Sequence, residues 1–202
     1  TTYFQCVVTC SGNNGTSTPV LINMVPCYCD AGASGSFERI GNVKLGTIDN
    51  SSTGGSGYQD FTAVSTDVIA GATMPFTVTS TNGFGGDRIK IWIDFNQDFD
   101  FTDPGEQVYL APTNSAGPYN GTIIIPSGAT LGATRMRIRL YDNTDSDNNG
   151  SCGTDNWGEV EDYTVNVTPC VPISVTTQPT SQSASCGQNA TFSIALTGSA
   201  PS

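Results

Sequence analysis

The chain has 202 residues, and its 18 acidic side chains outnumber the 7 basic ones, giving a net charge of −11. This surplus of acids argues against nucleic-acid binding, which needs basic side chains at the phosphates. The chain contains no histidine, which excludes His-dependent triads and His-ligated zinc or iron. No apolar run approaches the ~18 residues of a membrane helix, and we expect no membrane span in this segment.

Short alternating runs separated by turn residues predict an all-β protein, since no window has helical spacing. Residues 1–26 predict a hairpin, and residues 169–202 a Pro-rich linker followed by two strands, too few for a domain. Residues 27–168 favour a jelly-roll-like β-sandwich of about eight strands. The predicted strands are 37–48, 58–64, 73–81, 88–95, 107–111, 120–125, 134–141 and 159–167.

The seven cysteines indicate an oxidising compartment, and their odd number leaves at least one without a partner inside this segment. A bridge from Cys27 or Cys29 to Cys152 would close a long loop. Chain-entropy arguments assign ~4–5 kcal/mol to such a bridge. The sequence leaves the connectivity open.

Oxygen-bearing side chains alternate after the predicted strand 88–95, and a later glutamate follows them. This spacing resembles a calcium loop, although Phe99 replaces the usual Gly and the glutamate is the thirteenth residue instead of the twelfth. The alternative is an acidic turn solvated by water. We expect Ca²⁺ here, with the ligands Asp94, Asn96, Asp98, Asp100 and Glu106.

A second loop has the start of the same pattern, in Asp145, Asp147, Asn149 and Gly150. Its twelfth position is Asn156, a weaker ligand than glutamate. Asn, Asp and Gly also dominate ordinary loops, so the sequence favours a loop without metal.

Three carboxylates, Glu159, Glu161 and Asp162, interrupt the last predicted strand of the sandwich. Strict alternation places both glutamates on the face of Tyr163, unless a bulge near Asp162 shifts the parity. Arginines 135, 137 and 139 share one face of another strand, and pairing with the glutamates is the favoured arrangement. The alternatives are calcium or a ligand at Glu159 or Glu161. No acid stands out as a catalytic partner, and we expect no enzyme.

The central region resembles the GEVED domain of surface and secreted proteins exported by type IX secretion systems. The resemblance covers roughly 140 residues, in the family's order, and implies a module of an extracellular protein. In one departure, Phe99 stands where the family usually has Gly, which leaves the tight turn of a calcium loop in question. The matching segments are 57–61, 92–98, 125–126, 134–137 and 158–163.

The two ends resemble parts of an immunoglobulin-like domain, with 1–26 as its last strands and 169–202 as the first strands of another. This resemblance implies immunoglobulin-like domains alternating with the GEVED domain of residues 27–168. It also places Cys6 and Cys186 at the positions of that fold's disulfide, so that neighbouring copies of the protein could pair through them.

These features predict a non-enzymatic structural and adhesive module of a long, repetitive cell-surface protein or filament. Its partners would be neighbouring copies or domains, with glycans or surfaces as further contacts. The alternative is an accessory module that binds substrate or glycans for a secreted protease or polysaccharide-degrading enzyme. In that case Trp92, Trp157, Tyr58 and Tyr141 would supply a stacking platform, although such residues are more often part of a core.

Overall fold

The computed structural model describes residues 2–5, 7–10, 13–22, 26–35, 37–52, 55, 57–145 and 148–198. Every regular element in these ranges is a β-strand, which confirms the predicted all-β class. No helix in the described ranges has the length and apolar character needed to cross a bilayer. The strands are β1 Thr2–Phe4, β2 Val7–Cys10, β3 Asn13–Thr16, β4 Val20–Ile22, β5 Ala31–Ala33, β6 Arg39–Leu45, β7 Ile48–Ser51, β8 Tyr58–Ile69, β9 Thr73–Thr81, β10 Asp87–Ile93, β11 Gln107–Leu110, β12 Tyr119–Ile124, β13 Gly132–Asp142, β14 Gly153–Asp155, β15 Glu159–Thr168, β16 Ser174–Thr177 and β17 Ala195–Thr197.

Two sheets form the sandwich. The large sheet has the order β11-β10-β13-β15-β8, and the small sheet has the order β12-β9-β6-β7. Neighbouring strands are antiparallel except β15 and β8, which run parallel. Alternate residues of each strand point inward, as the two-residue period requires. Ile89, Ile91 and Ile93 of β10 therefore lie in the core, with Met136, Ile138 and Leu140 of β13 beside them.

The outer face of the large sheet is partly covered. The short strands β5 and β14 pair in parallel, and arginine side chains of β13 donate hydrogen bonds to backbone carbonyls in and around both strands. Trp92, on the same outer face, is only 4% exposed. These two strands escape sequence prediction because each has three residues and the apolar alternation is missing.

The predicted strand 37–48 is two strands. The chain turns at Gly46, whose φ of +55° suits glycine. A Cβ at this position would lie 2.2 Å from Thr66 Oγ1. The turn separates β6 from β7, which then pair as a hairpin.

The terminal segments form three small pairs, β1 with β4, β2 with β3, and β16 with β17. Described residues from 169 to 198 are all exposed. The domain limits 1–26, 27–168 and 169–202 remain predictions. Cys6 lies outside the described residues, and Cys186 is exposed with a free thiol.

Candidate metal site

The loop between β10 and β11, residues 94–106, carries all five predicted metal ligands. Asp94 and Glu106 lie buried at its base, whereas Asn96 and Asp98 are exposed and Asp100 is half-buried. One carboxylate oxygen from each of Asp94, Asp98 and Glu106 lies within 4.8 Å of the other two. The fold therefore brings together acids that are up to twelve positions apart in the loop.

A second group of carboxylate oxygens in the loop includes Asp103, which the ligand spacing of the sequence does not predict. Asp98, Asp100 and Asp103 again place three carboxylate oxygens within 4.8 Å of one another. Asn96 contacts this group through Nδ2, which donates to Asp98 Oδ2 at 3.1 Å and to Asp103 Oδ2 at 2.7 Å. Asp103 escapes prediction because it falls between the alternate positions of the ligand spacing.

Asp94 organises the loop by accepting three hydrogen bonds. Its Oδ1 accepts from the Gln97 amide at 2.6 Å, and its Oδ2 accepts from the Phe99 amide at 3.1 Å. The Tyr28 hydroxyl donates to the same Oδ2 at 2.7 Å. Burying this carboxylate is tolerable because these donors replace water.

Phe99 adopts a left-handed backbone conformation that is usual for glycine. Its φ is +73°, and Gln97 two residues earlier has a φ of +63°. The Phe99 ring packs against Tyr28, with 5.5 Å between the ring centroids. The tight turn thus forms without glycine, although a bulky residue at positive φ carries a conformational cost.

Glu106 is 2% exposed, and its two oxygens accept from the amides of Phe95 and Asp103, each at 3.2 Å. Burial raises the pKa of Glu106 to about 7, and the nearby charges of Asp94 and Asp103 add to the effect. Such a concentration of negative charge is what a bound cation relieves.

The donor set of this loop fits calcium chemistry. Three exposed or half-buried aspartates, Asp98, Asp100 and Asp103, supply carboxylate oxygens, and the buried acids Asp94 and Glu106 supply further ones. Ca²⁺ prefers six to eight oxygen ligands in flexible arrangements. The amide group of Asn96 would have to turn so that Oδ1 replaces Nδ2 toward the ion. Calcium would then compete with hydrogen bonds that already hold the loop.

The other candidate loop does not gather its ligands in the described residues. Asp145 accepts from the indole nitrogen of Trp157 at 3.1 Å. Asn149 accepts from Lys90 Nζ through its side-chain oxygen at 2.9 Å. Asp147 lies outside the described residues. These contacts agree with the interpretation of this segment as an ordinary loop.

The carboxylates of β15 lie on two different faces of the large sheet. The pairing of β15 with β13 is regular from Glu159 to Val167, so β15 itself has no bulge. The irregularity lies in β8, where Tyr163 and Thr164 oppose Phe61 and Ser65. Glu159 and Glu161 therefore point into the sandwich on the side of Tyr163, and both are fully buried.

The expected pairing of these glutamates with the arginines of β13 is wrong. Arg137 instead binds Asp162, with Nε 2.7 Å from Oδ1 and Nη2 2.7 Å from Oδ2. Arg135 Nη1 lies 3.3 Å from the same carboxylate. Because Asp162 is the one acid of the three that faces the arginine side of the sheet, alternation gives it both partners.

Neutral donors satisfy the two buried glutamates. Glu159 accepts from the Ile40 amide at 2.8 Å and from Gln59 Nε2 at 2.7 Å. Glu161 Oε2 accepts from the Tyr163 hydroxyl at 2.7 Å. Ile40 belongs to the small sheet, so these carboxyl groups connect the two sheets through the core.

The contacts of Ser52 favour a protonated Glu161. Ser52 Oγ lies 2.5 Å from Glu161 Oε1 and 2.9 Å from the Ile40 carbonyl, yet the hydroxyl has one proton for two acceptors. A protonated Glu161 donating to Ser52 satisfies both contacts. Burial raises the pKa of Glu161 to about 7, which favours this neutral form.

A disulfide joins Cys29 to Cys152, which are 123 positions apart. One of the two predicted pairings is thereby confirmed. Cys27, Cys170 and Cys186 are free and exposed. The bridge fastens the segment before β5 to the loop before β14, directly over the Arg137 side chain, whose Nη1 donates to the Cys29 carbonyl at 2.9 Å.

The predicted aromatic platform does not form. Trp92 and Tyr141 are 4% and 1% exposed, respectively, and cannot stack on a ligand. Tyr58 is half-buried and donates to Asp162 at 3.0 Å. Among the four, Trp157 is the most exposed, with 38% of the residue accessible.

Residues 88–166 match the family model of the GEVED domain. The matched range runs from β10 to β15. It includes the 94–106 loop and the acidic strand β15, which carries Glu159, Glu161 and Asp162. No curated protein matches the chain. The GEVED match indicates a module of a secreted bacterial protein, and the disulfide agrees with an extracellular location.

Proposed function

We propose that the sandwich is a non-enzymatic structural and adhesive module of a long, repetitive surface protein or filament. One observation carries the proposal. The three acids of β15 are buried and accept hydrogen bonds from arginines or from neutral groups of the core, so they serve the fold and place no reactive group in a cleft. Asp162, Glu159 and Glu161 are each fully buried.

Calcium would stiffen the module at the 94–106 loop. Asp94, Asp98, Asp100 and Glu106 would hold the ion, with Asn96 as the predicted fifth ligand and Asp103 as an additional one. The bound Ca²⁺ would supply positive charge to a group of acids that otherwise repel one another. Residues 95 and 97 contact the segment 129–132 next to β13, so a fixed loop would also fix that edge of the sandwich.

Thermal melts with excess Ca²⁺ and with chelator test this proposal. We expect Ca²⁺ to raise the melting temperature of the full chain, because the ion binds the folded state. The variant Asp98→Asn removes one exposed ligand charge and should reduce the shift. The variant Asp30→Asn removes one exposed charge elsewhere and serves as the matched control. Identical melts with Ca²⁺ and chelator would contradict the proposed stiffening.

The proposed partners are neighbouring copies or domains of the same surface protein, exported by a type IX system. The terminal segments support this arrangement through their resemblance to parts of immunoglobulin-like domains. The gene encoding the whole protein provides the test. Further immunoglobulin-like and GEVED units would support the adhesin, whereas a catalytic domain would favour the accessory module.

One observation favours the accessory, glycan-binding alternative. An open groove beside β15 is lined by Tyr28, Phe99 and Arg135, and Phe99 is 41% exposed. Aromatic rings and a guanidinium group can stack on and bind sugars. A glycan array probed with the full chain and with Phe99→Ala tests this alternative, and the absence of any hit would count against it.

A further inference from the structure

Three buried acidic residues from distant segments lie at the end of the sandwich where β10 begins and β13 ends. Asp87 and Asp142 are cross-strand partners in this pair of strands. Glu38 directly precedes β6 of the opposite sheet. All three are buried, with exposed fractions of 0% for Asp87, 8% for Asp142 and 7% for Glu38.

Two oxygens of this acid cluster, Glu38, Asp87 and Asp142, lack hydrogen-bond partners among the described residues. Asp87 Oδ2 accepts from the Phe84 amide at 2.7 Å, but Asp87 Oδ1 is buried without a donor. Glu38 Oε2 is also buried without a donor. Buried polar atoms are almost always paired, so two unpaired oxygens in one acid cluster point to a missing positive partner.

No protein cation fills this role in the described part of the chain. None of the three acids takes part in an ion pair there. The Arg39 guanidinium is directed to backbone carbonyls, including that of Gly158 at 2.7 Å, and Arg88 donates to the Pro112 carbonyl. Burial, together with the charges of Glu38 and Asp142, raises the pKa of Asp87 to about 6.

We propose that Glu38, Asp87 and Asp142 form a second binding site for a hard divalent cation, with Ca²⁺ as the preferred ion. The ligands are all oxygen atoms, which select Ca²⁺ or Mg²⁺ over softer metals. Ca²⁺ suits them better because it accepts irregular, flexible coordination. The ion would join the small sheet at Glu38 to the large sheet at Asp87 and Asp142. It would thus hold together the end of the sandwich opposite to Gly132 and Thr168.

The structure also predicts that this site is weak. Among the described residues, three acid oxygens come within 4.8 Å of one another only in the 94–106 loop. Binding at the acid cluster therefore requires side-chain rotation, most readily by the longer Glu38. We expect an affinity in the range of extracellular calcium modules, with Kd on the order of 0.1–1 mM.

Terbium luminescence of the full chain tests the site, with Tb³⁺ as the probe and Ca²⁺ as the competitor. Tyr119 lies near Asp87, because its hydroxyl donates to the Ser115 carbonyl and the Ser115 amide donates to the Asp87 carbonyl at 2.8 Å. Its phenol ring can therefore sensitise bound Tb³⁺. The double variant Asp98→Asn, Asp100→Asn weakens the loop site first. In this background we expect saturable emission that Ca²⁺ reverses. Adding Asp87→Asn should weaken Tb³⁺ binding by more than about tenfold, since even outer partners of a metal site contribute that much.

Asp87→Asn keeps an oxygen for the Phe84 amide, so it should fold, and Glu38→Gln provides a second test at the opposite ligand. Asp30→Asn is the control for the loss of one exposed charge and should leave emission unchanged. Equal Tb³⁺ affinity with and without Asp87→Asn and Glu38→Gln would overturn the proposal. So would the absence of Ca²⁺-reversible emission in the loop-weakened background. The chain without substitutions is measured in parallel. Additional Tb³⁺ binding by this chain, compared with the loop-weakened background, shows whether the 94–106 loop itself binds Tb³⁺.

Discussion

Arg137 and Asp162 form a two-pronged ion pair inside the protein, with both nitrogen–oxygen distances at 2.7 Å. Asp162 is fully buried and Arg137 is 1% exposed. The remaining guanidinium nitrogen, Nη1, donates to the carbonyls of Cys29 and Ser151. One arginine therefore fastens the acidic strand, the segment before β5 and the loop before β14 to each other.

Removing the carboxylate should destabilise the fold strongly. Asp162→Ala leaves the Arg137 charge buried without its counter-ion, and such a change costs about 3–5 kcal/mol. The exposed pair of Lys44 and Asp49 is the matched control, because both side chains are more than half exposed. Asp49→Ala should cost much less, because water screens an exposed pair. Urea unfolding of both variants measures the difference, and equal costs would contradict the role given to Asp162.

The protonated Glu161 makes stability depend on pH. Its pKa rises from about 4.5 to about 7 on folding, so the folded state keeps a proton that the unfolded state releases. The free energy of unfolding should therefore decrease as the pH rises from about 4.5 to about 7. Up to about 3 kcal/mol is at stake, from the size of the shift.

Glu161→Gln should reduce this pH dependence, because the amide can donate to Ser52 at any pH. The dependence that remains comes from Glu106 and Asp87, whose pKa values are also raised, to about 7 and about 6. Glu159 is the neighbouring acidic group that adds to the shift, and it stays in place in this variant. Denaturant melts between pH 4 and pH 8 provide the measurement. If the variant and the original chain lose stability in parallel over this range, Glu161 is not the group that binds the proton.

The disulfide should contribute about 4–5 kcal/mol, since it closes a loop of more than a hundred residues in the unfolded chain. The double variant Cys29→Ser, Cys152→Ser should lose that amount in urea unfolding. Cys27→Ser is the control, because Cys27 is exposed and free. A loss in the control as large as in the double variant would show that Cys27, and not the predicted partner Cys29, carries the bridge.

Gly158, which directly precedes β15, should tolerate no side chain. Its φ is +102°, and a Cβ would lie 2.0 Å from the Leu140 carbonyl oxygen. Gly105 has a similar φ of +98° but has no atom within 4 Å of the added carbon. Gly105→Ala should thus cost only the backbone strain, about 1–3 kcal/mol. Gly158→Ala should cost clearly more, as measured by urea unfolding in chelator, and a smaller loss than Gly105→Ala would contradict the steric argument.

The sheets were predictable from sequence because burial follows the two-residue period closely. Ile89, Ile91 and Ile93 alternate with polar or aromatic residues, and each predicted strand of the sandwich has a counterpart. The acid that pairs with the arginines was not predictable, since β15 contains three candidates, Glu159, Glu161 and Asp162. The choice depends on whether β15 or β8 contains the bulge, and that is decided by pairing between distant strands.

The candidate sites show the same division. The 94–106 loop is local, so the spacing of its acids was visible in the sequence, whereas the proximity of Asp103 to Asp98 and Asp100 was not. The acid cluster combines Glu38, Asp87 and Asp142 from three separated segments. No spacing rule connects such residues, and the unpaired oxygens that define the cluster exist only in the folded protein.

The Cys29–Cys152 bond also determines how the module would respond to a pulling force. Tension applied between the segments before Cys29 and after Thr168 would pass through the sulfur atoms directly to Cys152. The 123 positions between the two cysteines would not be stretched, so roughly 400 Å of potential chain extension would be unavailable to the force. Only β14 and β15 would lie on the loaded path. The strands from β6 to β13 would lie outside the covalent path of the force while the bond remains intact, and β8 and β13 would resist it through their hydrogen bonds to β15.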